Sequence, residues 1–147
     1  MDHPPSAHRP VPGVGIACFR GPNILLVQRG KAPFEGRWSL PGGRIEWGER
    51  VIDTAHRELL EETGCTAEMV GLVDVVDVVM AAAANREAPA WAHYVLIEYA
   101  ARWRSGQPQA GDDAREARFF APEELEALGL WEETRRVIEA ARKLAVR

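Results

Sequence analysis

"GRIEWGERVIDTAHRELLEETGC", residues 43 to 65, changes its period part-way along. From Val51 onward Val51, Ile52, Ala55, Leu59 and Leu60 recur at helical spacing, and Gly64 suits the left-handed position that ends helices. The helix so predicted gathers Glu58, Glu61 and Glu62 near its C-terminal end, where aligned peptide dipoles favour Lys, Arg or His instead. At about 100° per residue, Glu61 lies about 60° to one side of Glu58 and Glu62 about 40° to the other, so the three share an arc of about 100°. Like charges at these spacings cost about a few tenths of a kcal/mol each, and the adverse dipole adds roughly 0.3 to 1 kcal/mol. A solvated acidic face is the ordinary explanation of a charge run, and such a face interleaves Lys or Arg. Positions 54, 58, 62, 65 and 66 hold none, and Arg57 lies about 100° from Glu58. A bound divalent cation would offset both penalties, because Mg²⁺ takes carboxylate oxygens and keeps positions for water and phosphates.

Upstream, "GVGIACF" and "ILLVQR" flank the turn "RGPN" and predict a hairpin. "GRWSL" predicts a third short strand, stopped by "PGG": Pro41 cannot donate to a ladder and the two glycines permit unusual backbone angles. The stretch after it is predicted as loop. Downstream, "MVGLVDVVDVVM" and "HYVLIEYAARW" are β-rich segments joined by an alanine-rich, proline-containing loop, and "EARFF" is a last short strand. Pro122 opens a helical segment at "PEELEAL", and Thr134, Val137, Ile138, Ala141 and Leu144 mark a C-terminal amphipathic helix. The expected fold class is α+β, a mixed sheet between helices. One domain is expected over residues 13–147, after a flexible N-terminal arm over residues 1–12 that is rich in Pro and His.

A chain of 147 residues fits one such domain. Cys18 and Cys65 sit in apolar stretches without the close spacing of a zinc site, so they are read as buried reduced thiols of a cytoplasmic protein. The formal net charge of −4 argues against bulk nucleic-acid binding but allows a local basic cleft for a small phosphorylated molecule. The longest uninterrupted apolar run, Val78 to Ala84, falls far below the roughly 18 residues of a membrane span.

The spacing within residues 43–65 resembles a complete Nudix box: Gly43, Glu49, Arg57-Glu58, apolar Leu59, Glu61-Glu62 and Gly64 each stand in place. Seven fixed identities at ordinary residue frequencies coincide by chance on the order of once in a hundred million windows. The match covers 23 of 147 residues, and "GRWSLPGG" and the order of elements also resemble the Nudix (MutT-like) fold, an α/β/α sandwich. Cys65 stands where an aliphatic residue is commoner, a departure that bears on packing more than on chemistry.

The resemblance implies a hydrolase that cleaves a pyrophosphate bond in a nucleoside diphosphate linked to another group, using Mg²⁺, with Mn²⁺ as a substitute, and an attacking water. By matching position, Glu58, Glu61 and Glu62 would be metal ligands, and Gly42 or Gly43 would add a backbone carbonyl. Glu49 and Arg57 would form a brace beside them. The base would be one of the box glutamates or an acidic residue of "GDDAREARFF", with Asp113 or Glu116 favoured. Arg29, Arg37 and Arg44 are candidates to grip phosphates, and Phe34, Trp38, Trp47 and Trp91 to stack on a base, Trp47 foremost because it lies in the box loop. The implied partner is a small nucleotide-derived molecule: a nucleoside triphosphate, ADP-ribose or a nucleotide sugar. A homodimer is compatible with the sequence. Two alternatives stay open: a regulatory domain that binds nucleotide without turnover, and an RNA 5′ pyrophosphohydrolase, against which the acidic balance counts.

Overall fold

The structure is a computed structural model that describes residues 9–31, 34–81 and 90–147, with 81, 90 and 91 described for their backbone alone. Residues 1–8 of the expected arm, the alanine-rich loop at 82–89 and the stacking expectation for the Trp91 side chain lie outside the described residues. Seven strands form one sheet. β1 (Val11–Arg20), β2 (Asn23–Arg29), β3 (Trp38–Ser39), β4 (Gly42–Arg44), β5 (Thr66–Ala81), β6 (Ala90–Ser105) and β7 (Ala114–Phe120) appear in that chain order, with α1 (Val51–Thr63) between β4 and β5 and α2 (Glu132–Ala145) at the end. The sheet order is β3-β2-β1-β6-β5, with β4 on β1 and β7 on β2. β1 pairs parallel with β6 and every other pairing is antiparallel, which makes the sheet mixed as the sequence predicts.

Successive residues of a strand face opposite sides, and β1 shows how this builds two cores. Val14, Ile16 and Cys18 pack with Ala55 and Leu59 of α1, while Ala17 and Phe19 pack with Ile138, Ala141 and Ala145 of α2. Because β1 is covered on both faces, its core positions carry no polar alternation, and residues 13–19 are buried without a break. Cys18 and Cys65 are buried and free. Burial pushes the Cys18 thiol up to about 12.

Several boundaries differ from the sequence reading. β1 starts two residues before the expected domain edge: Val11 and Pro12 pair with Tyr94 and Val95, and the Pro12 carbonyl accepts from Ile45 at 3.2 Å. A proline lacks a donor yet keeps its acceptor, so a strand position was read as arm. The loop expected after "PGG" begins instead with β4, which pairs Gly42 with Gly15, Gly43 with Val14 and Arg44 with Gly13. Neither Gly42 nor Gly43 adopts a left-handed backbone. What they supply is close approach: a Cβ on Gly42 would strike the Val14 carbonyl oxygen, and one on Gly43 the Glu58 carboxyl.

α1 ends as predicted, with Gly64 at φ 73° and its N–H on the Leu60 carbonyl. Its buried face is displaced from the predicted stripe, since Leu60 is exposed and Thr54 and Thr63 are buried. The Thr63 hydroxyl donates to the Leu59 carbonyl at 2.6 Å and accepts from the Cys65 N–H at 3.2 Å, which satisfies the buried oxygen. "PEELEAL" forms two 3-10 turns, Pro122–Glu124 and Glu126–Leu128, halted by Gly129 at φ 62°. α2 buries Val137, Ile138, Ala141 and Ala145, whereas Leu144 is exposed.

Candidate active site

The C-terminal end of α1, where carbonyls lack intrahelical partners, is where the glutamates converge. The segment before β7 folds over that end: the Gln109 N–H donates to the Thr63 carbonyl at 2.8 Å and the Gly111 N–H to the Glu62 carbonyl at 3.0 Å. These donors relieve part of the adverse dipole. They also bring Asp112 against the helix, with a left-handed backbone at φ 50° that costs a non-glycine residue about 1 kcal/mol or more.

Arg57 corrects the sequence reading that no base interleaves the acidic face. One terminal nitrogen donates to Glu58 Oε1 at 2.8 Å and to Glu61 Oε2 at 3.0 Å, the latter an i,i+4 pair. The guanidinium also grips Glu49 with two bonds, at 2.7 and 2.9 Å, and donates to the Arg44 carbonyl at 3.1 Å. Glu49 in turn accepts the Thr54 hydroxyl at 2.7 Å and the Glu46 N–H at 3.1 Å. The bonds from Arg57 first and Thr54 second hold the Glu49 carboxyl down at about 2. Glu49 and Arg57 therefore sit as a rigid clasp from the box loop to the helix.

Glu58, Glu61 and Asp112 each offer a carboxylate oxygen, and all three oxygens lie within 4.8 Å of one another. Burial raises the Glu58 carboxyl, opposed by Arg57 and reinforced by Glu61 and Asp112. Glu62 stands apart from that trio. It is more deeply buried, accepts the Gly42 N–H, and is pushed up to about 8 by burial and by Glu58. The asymmetry is physical: one guanidinium faces Glu58 and Glu61, while Glu62 is the more deeply desolvated, with the charge of Arg29 opposing its rise.

A cleft of about 1070 Å³ opens beside these carboxylates, at the upper end of small-molecule sites. Its lining brings together Glu58, Glu62, Gly42, Gly43, Arg29, Arg37, Arg44 and Asp113 from the sequence-derived set. Trp47 is fully exposed and does not line it. Phe34 and Trp38 do line it; Trp38 packs edge-on to Phe120 at 4.8 Å, and Arg37 lies over Phe34 at 4.9 Å. Of the acidic residues before β7, Asp112 joins the cluster, whereas Asp113 is exposed and pairs with Lys31 at 2.7 Å, and Glu116 faces outward near Arg118 at 3.9 Å. The sequence favours Asp113 or Glu116 as base or extra ligand; Asp113 lines the cleft, and Asp112 is the residue whose oxygen lies with those of Glu58 and Glu61. Sequence reasoning also passed over Glu98, a lone acid in the apolar run of β6, whose position there was itself a signal.

Comparison with known proteins agrees with this geometry. The family model for the NUDIX domain matches residues 9–141. A protein of Methanocaldococcus jannaschii called ADP-ribose pyrophosphatase is 36% identical over 97 residues, 66% of this chain and 53% of its own length. A human protein called 8-oxo-dGDP phosphatase NUDT18 is 32% identical over 74 residues, 50% of this chain and 20% of its own. The alignment thus spans about half of the archaeal relative and a fifth of the human one. The crystal structure of a MutT NUDIX hydrolase from Burkholderia pseudomallei superposes with a TM-score of 0.75 at 35% identity, over 90% of this chain and 98% of that one. The chain belongs to the NUDIX domain family, whose matched relatives bear the names of hydrolases of nucleoside diphosphate derivatives.

Proposed function

We propose that this NUDIX family member is a divalent-metal-dependent hydrolase, with Mg²⁺ its usual ion, that cleaves a pyrophosphate bond in a nucleoside diphosphate linked to another group. A nucleoside triphosphate, ADP-ribose or a nucleotide sugar is the substrate class. The observation that carries the reading is the meeting of Glu58, Glu61 and Asp112, with oxygens within 4.8 Å of one another, at a cleft of nucleotide size. An all-oxygen donor set suits a hard cation, and the absent Cβ at Gly43 leaves the Glu58 carboxyl its space. Glu58, Glu61 and Asp112 would hold the ion, with the neighbouring Glu62 and the Gly42 or Gly43 carbonyl as the remaining protein donors. When bound, it neutralises charge on the phosphoryl oxygens and acidifies the water that attacks phosphorus.

The rest falls to the chain's own residues. Arg57 fixes the Glu58 and Glu61 carboxylates and ties them to Glu49, so their rotamers are set before a ligand arrives. Arg29, Arg37 and Arg44 line the cleft, where a planar guanidinium suits the two-donor grip of a phosphate. Glu62, at about 8 in the metal-free protein, has the strongest pull on a proton among the box carboxylates and takes the proton of the attacking water at a carboxylate oxygen. A nearby cation lowers that value toward neutrality, which suits a base.

One observation favours a second reading, a domain that binds nucleotide without turnover: Arg57 already neutralises part of the acidic cluster. Turnover separates the two. A panel of nucleoside triphosphates, nucleotide sugars, ADP-ribose, dinucleotides and capped RNA is incubated with Mg²⁺ and scored by phosphate release after phosphatase coupling. At least one compound should be cleaved, and Glu61→Gln should lower its rate by about 10²-fold or more with the circular dichroism unchanged. Cleavage of nothing in the panel would sink the hydrolase reading.

A further inference from the structure

The helix that carries Glu58 and Glu61 does not carry Asp112, which arrives on the segment between β6 and β7. At two of its contacts with the helix end that segment is glycine: a Cβ on Gly106 would strike the Gly64 carbonyl oxygen, and one on Gly111 the Glu61 carbonyl oxygen. Gly106 sits at φ 92°, and its carbonyl accepts from the Trp103 indole N–H at 2.8 Å. The Gly111 N–H is on the Glu62 carbonyl at 3.0 Å, and between the two glycines the Gln109 N–H is on the Thr63 carbonyl at 2.8 Å. Residues 106–111 form a strap seated on the last turn of α1 by backbone atoms, closer than a side chain at either glycine would permit.

The other side of Asp112 is fixed as firmly. The Ala114 N–H closes a tight turn on the Gly111 carbonyl at 3.1 Å, and the Asp113 carbonyl accepts from the Gly30 N–H at 2.9 Å. With both ends held, the left-handed angle of Asp112, φ 50°, is imposed on it, and its carboxylate is delivered to Glu58 and Glu61. We propose that Gly111 is a positioning residue for the metal site: the seat it makes against the Glu61 and Glu62 carbonyls sets where Asp112 meets the cation. Those carbonyls cannot give way without unwinding the turn that carries Glu61 and Glu62, so a Cβ at position 111 lifts the strap and takes Asp112 with it. The inference rests on the metal-dependent reading for its ligand, but it is tested on binding and not on turnover, so a protein that binds the ion and cleaves nothing would leave it standing.

Affinity for Mn²⁺ is measured by electron paramagnetic resonance for the wild type, Gly111→Ala, Asp112→Asn and the double variant, with circular dichroism to follow the fold. Each single change should weaken binding about tenfold or more, and the double variant should bind within about twofold of Asp112→Asn, because the seat acts through that one carboxylate. General damage to the helix end would add instead, since it would weaken Glu58 and Glu61 with or without Asp112. One glycine inserted between Gly111 and Asp112 keeps the seat and gives Asp112 slack, at a loop-closure cost that is small. That protein should fold and bind as weakly as Asp112→Asn, and it decides the matter if Gly111→Ala does not fold. Wild-type affinity in a folded Gly111→Ala or in the insertion, a double variant weakened by the product of the two single effects, or no Mn²⁺ binding by the wild type would each overturn the assignment.

Discussion

Replacing Glu98 by glutamine should stabilise the protein, and the gain should grow as pH rises from 4.5 to 7. Burial first, and Asp74 second, push this carboxyl from the ordinary 4.5 up to about 7, against the pull of Arg136. Between those values the folded protein binds the proton more tightly than the unfolded chain does. The carboxyl's contribution to stability is therefore full below 4.5 and is lost as pH rises through 7. That interval sets a ceiling of about 3 kcal/mol on the loss, and local relaxation around a buried charge lowers the expected value to about 1 to 2 kcal/mol. Glutamine keeps the shape and carries no proton to lose. Urea unfolding at pH 5 and pH 8 checks this: the two proteins should differ little at pH 5, and Glu98→Gln should be the more stable by about 1 to 2 kcal/mol at pH 8, some 2 to 8 °C in melting temperature. Glu62, also raised, titrates in both proteins and cancels in the difference. Parallel pH profiles, or a variant less stable at pH 8, would refute the reasoning.

Three further outcomes follow from the contacts of the site. Gly42→Ala sets a Cβ against the Val14 backbone carbonyl, which cannot move without opening the sheet, and should destabilise by about 3 kcal/mol or more in thermal melts; Gly43→Ala meets only the movable Glu58 carboxyl, and should fold but bind Mn²⁺ about tenfold or more weakly by electron paramagnetic resonance. Arg57→Lys loses the two-bond grip on Glu49 and should weaken Mn²⁺ binding by about 10- to 100-fold, a loss that an unchanged affinity would contradict. Asp112→Asn should depress metal affinity, whereas Asp113→Asn removes one exposed ion pair and should leave it within about twofold, both read by calorimetric Mg²⁺ titration.

What the sequence made legible is what it encodes at short range. The α1 stripe, the Gly64 stop and the order of the carboxylates all lie within one helix, where a fixed angle per residue converts spacing into position. β4 was illegible because "GGR" has neither alternation nor β-branched residues; its glycines are explained by Val14 and Glu58, which reach them only in the folded state. The choice between Asp112 and Asp113 turns on one left-handed backbone angle before β7, which adjacent identical residues cannot announce. Arg57 is a different kind of miss. Its i,i+4 relation to Glu61 lies in the numbering alone, and an arginine's length lets it serve the adjacent Glu58 as well, which the angle between neighbouring residues hides.

That arginine changes the reason for expecting a cation without removing it. The crowded helix end has two protein solutions already: Arg57 on Glu58 and Glu61, and the N–H groups of Gln109 and Gly111 on the last carbonyls. Were these sufficient, the fold would have no cause to add acid. It adds Asp112 instead, at a backbone angle that costs free energy, and buries Glu62 beside Glu58 and Asp112. One guanidinium, itself committed to Glu49, then faces Glu58 and Glu61 with Asp112 and Glu62 close by. Burial first, and the negative charge of Glu58 after it, hold the Glu62 carboxyl at about 8 in the metal-free protein, the state of a group waiting for either a proton or a positive ion. Mg²⁺ titration should therefore release protons near pH 7.5, in proportion to metal bound, and proton-neutral binding there would mean that the ion settles away from these carboxylates.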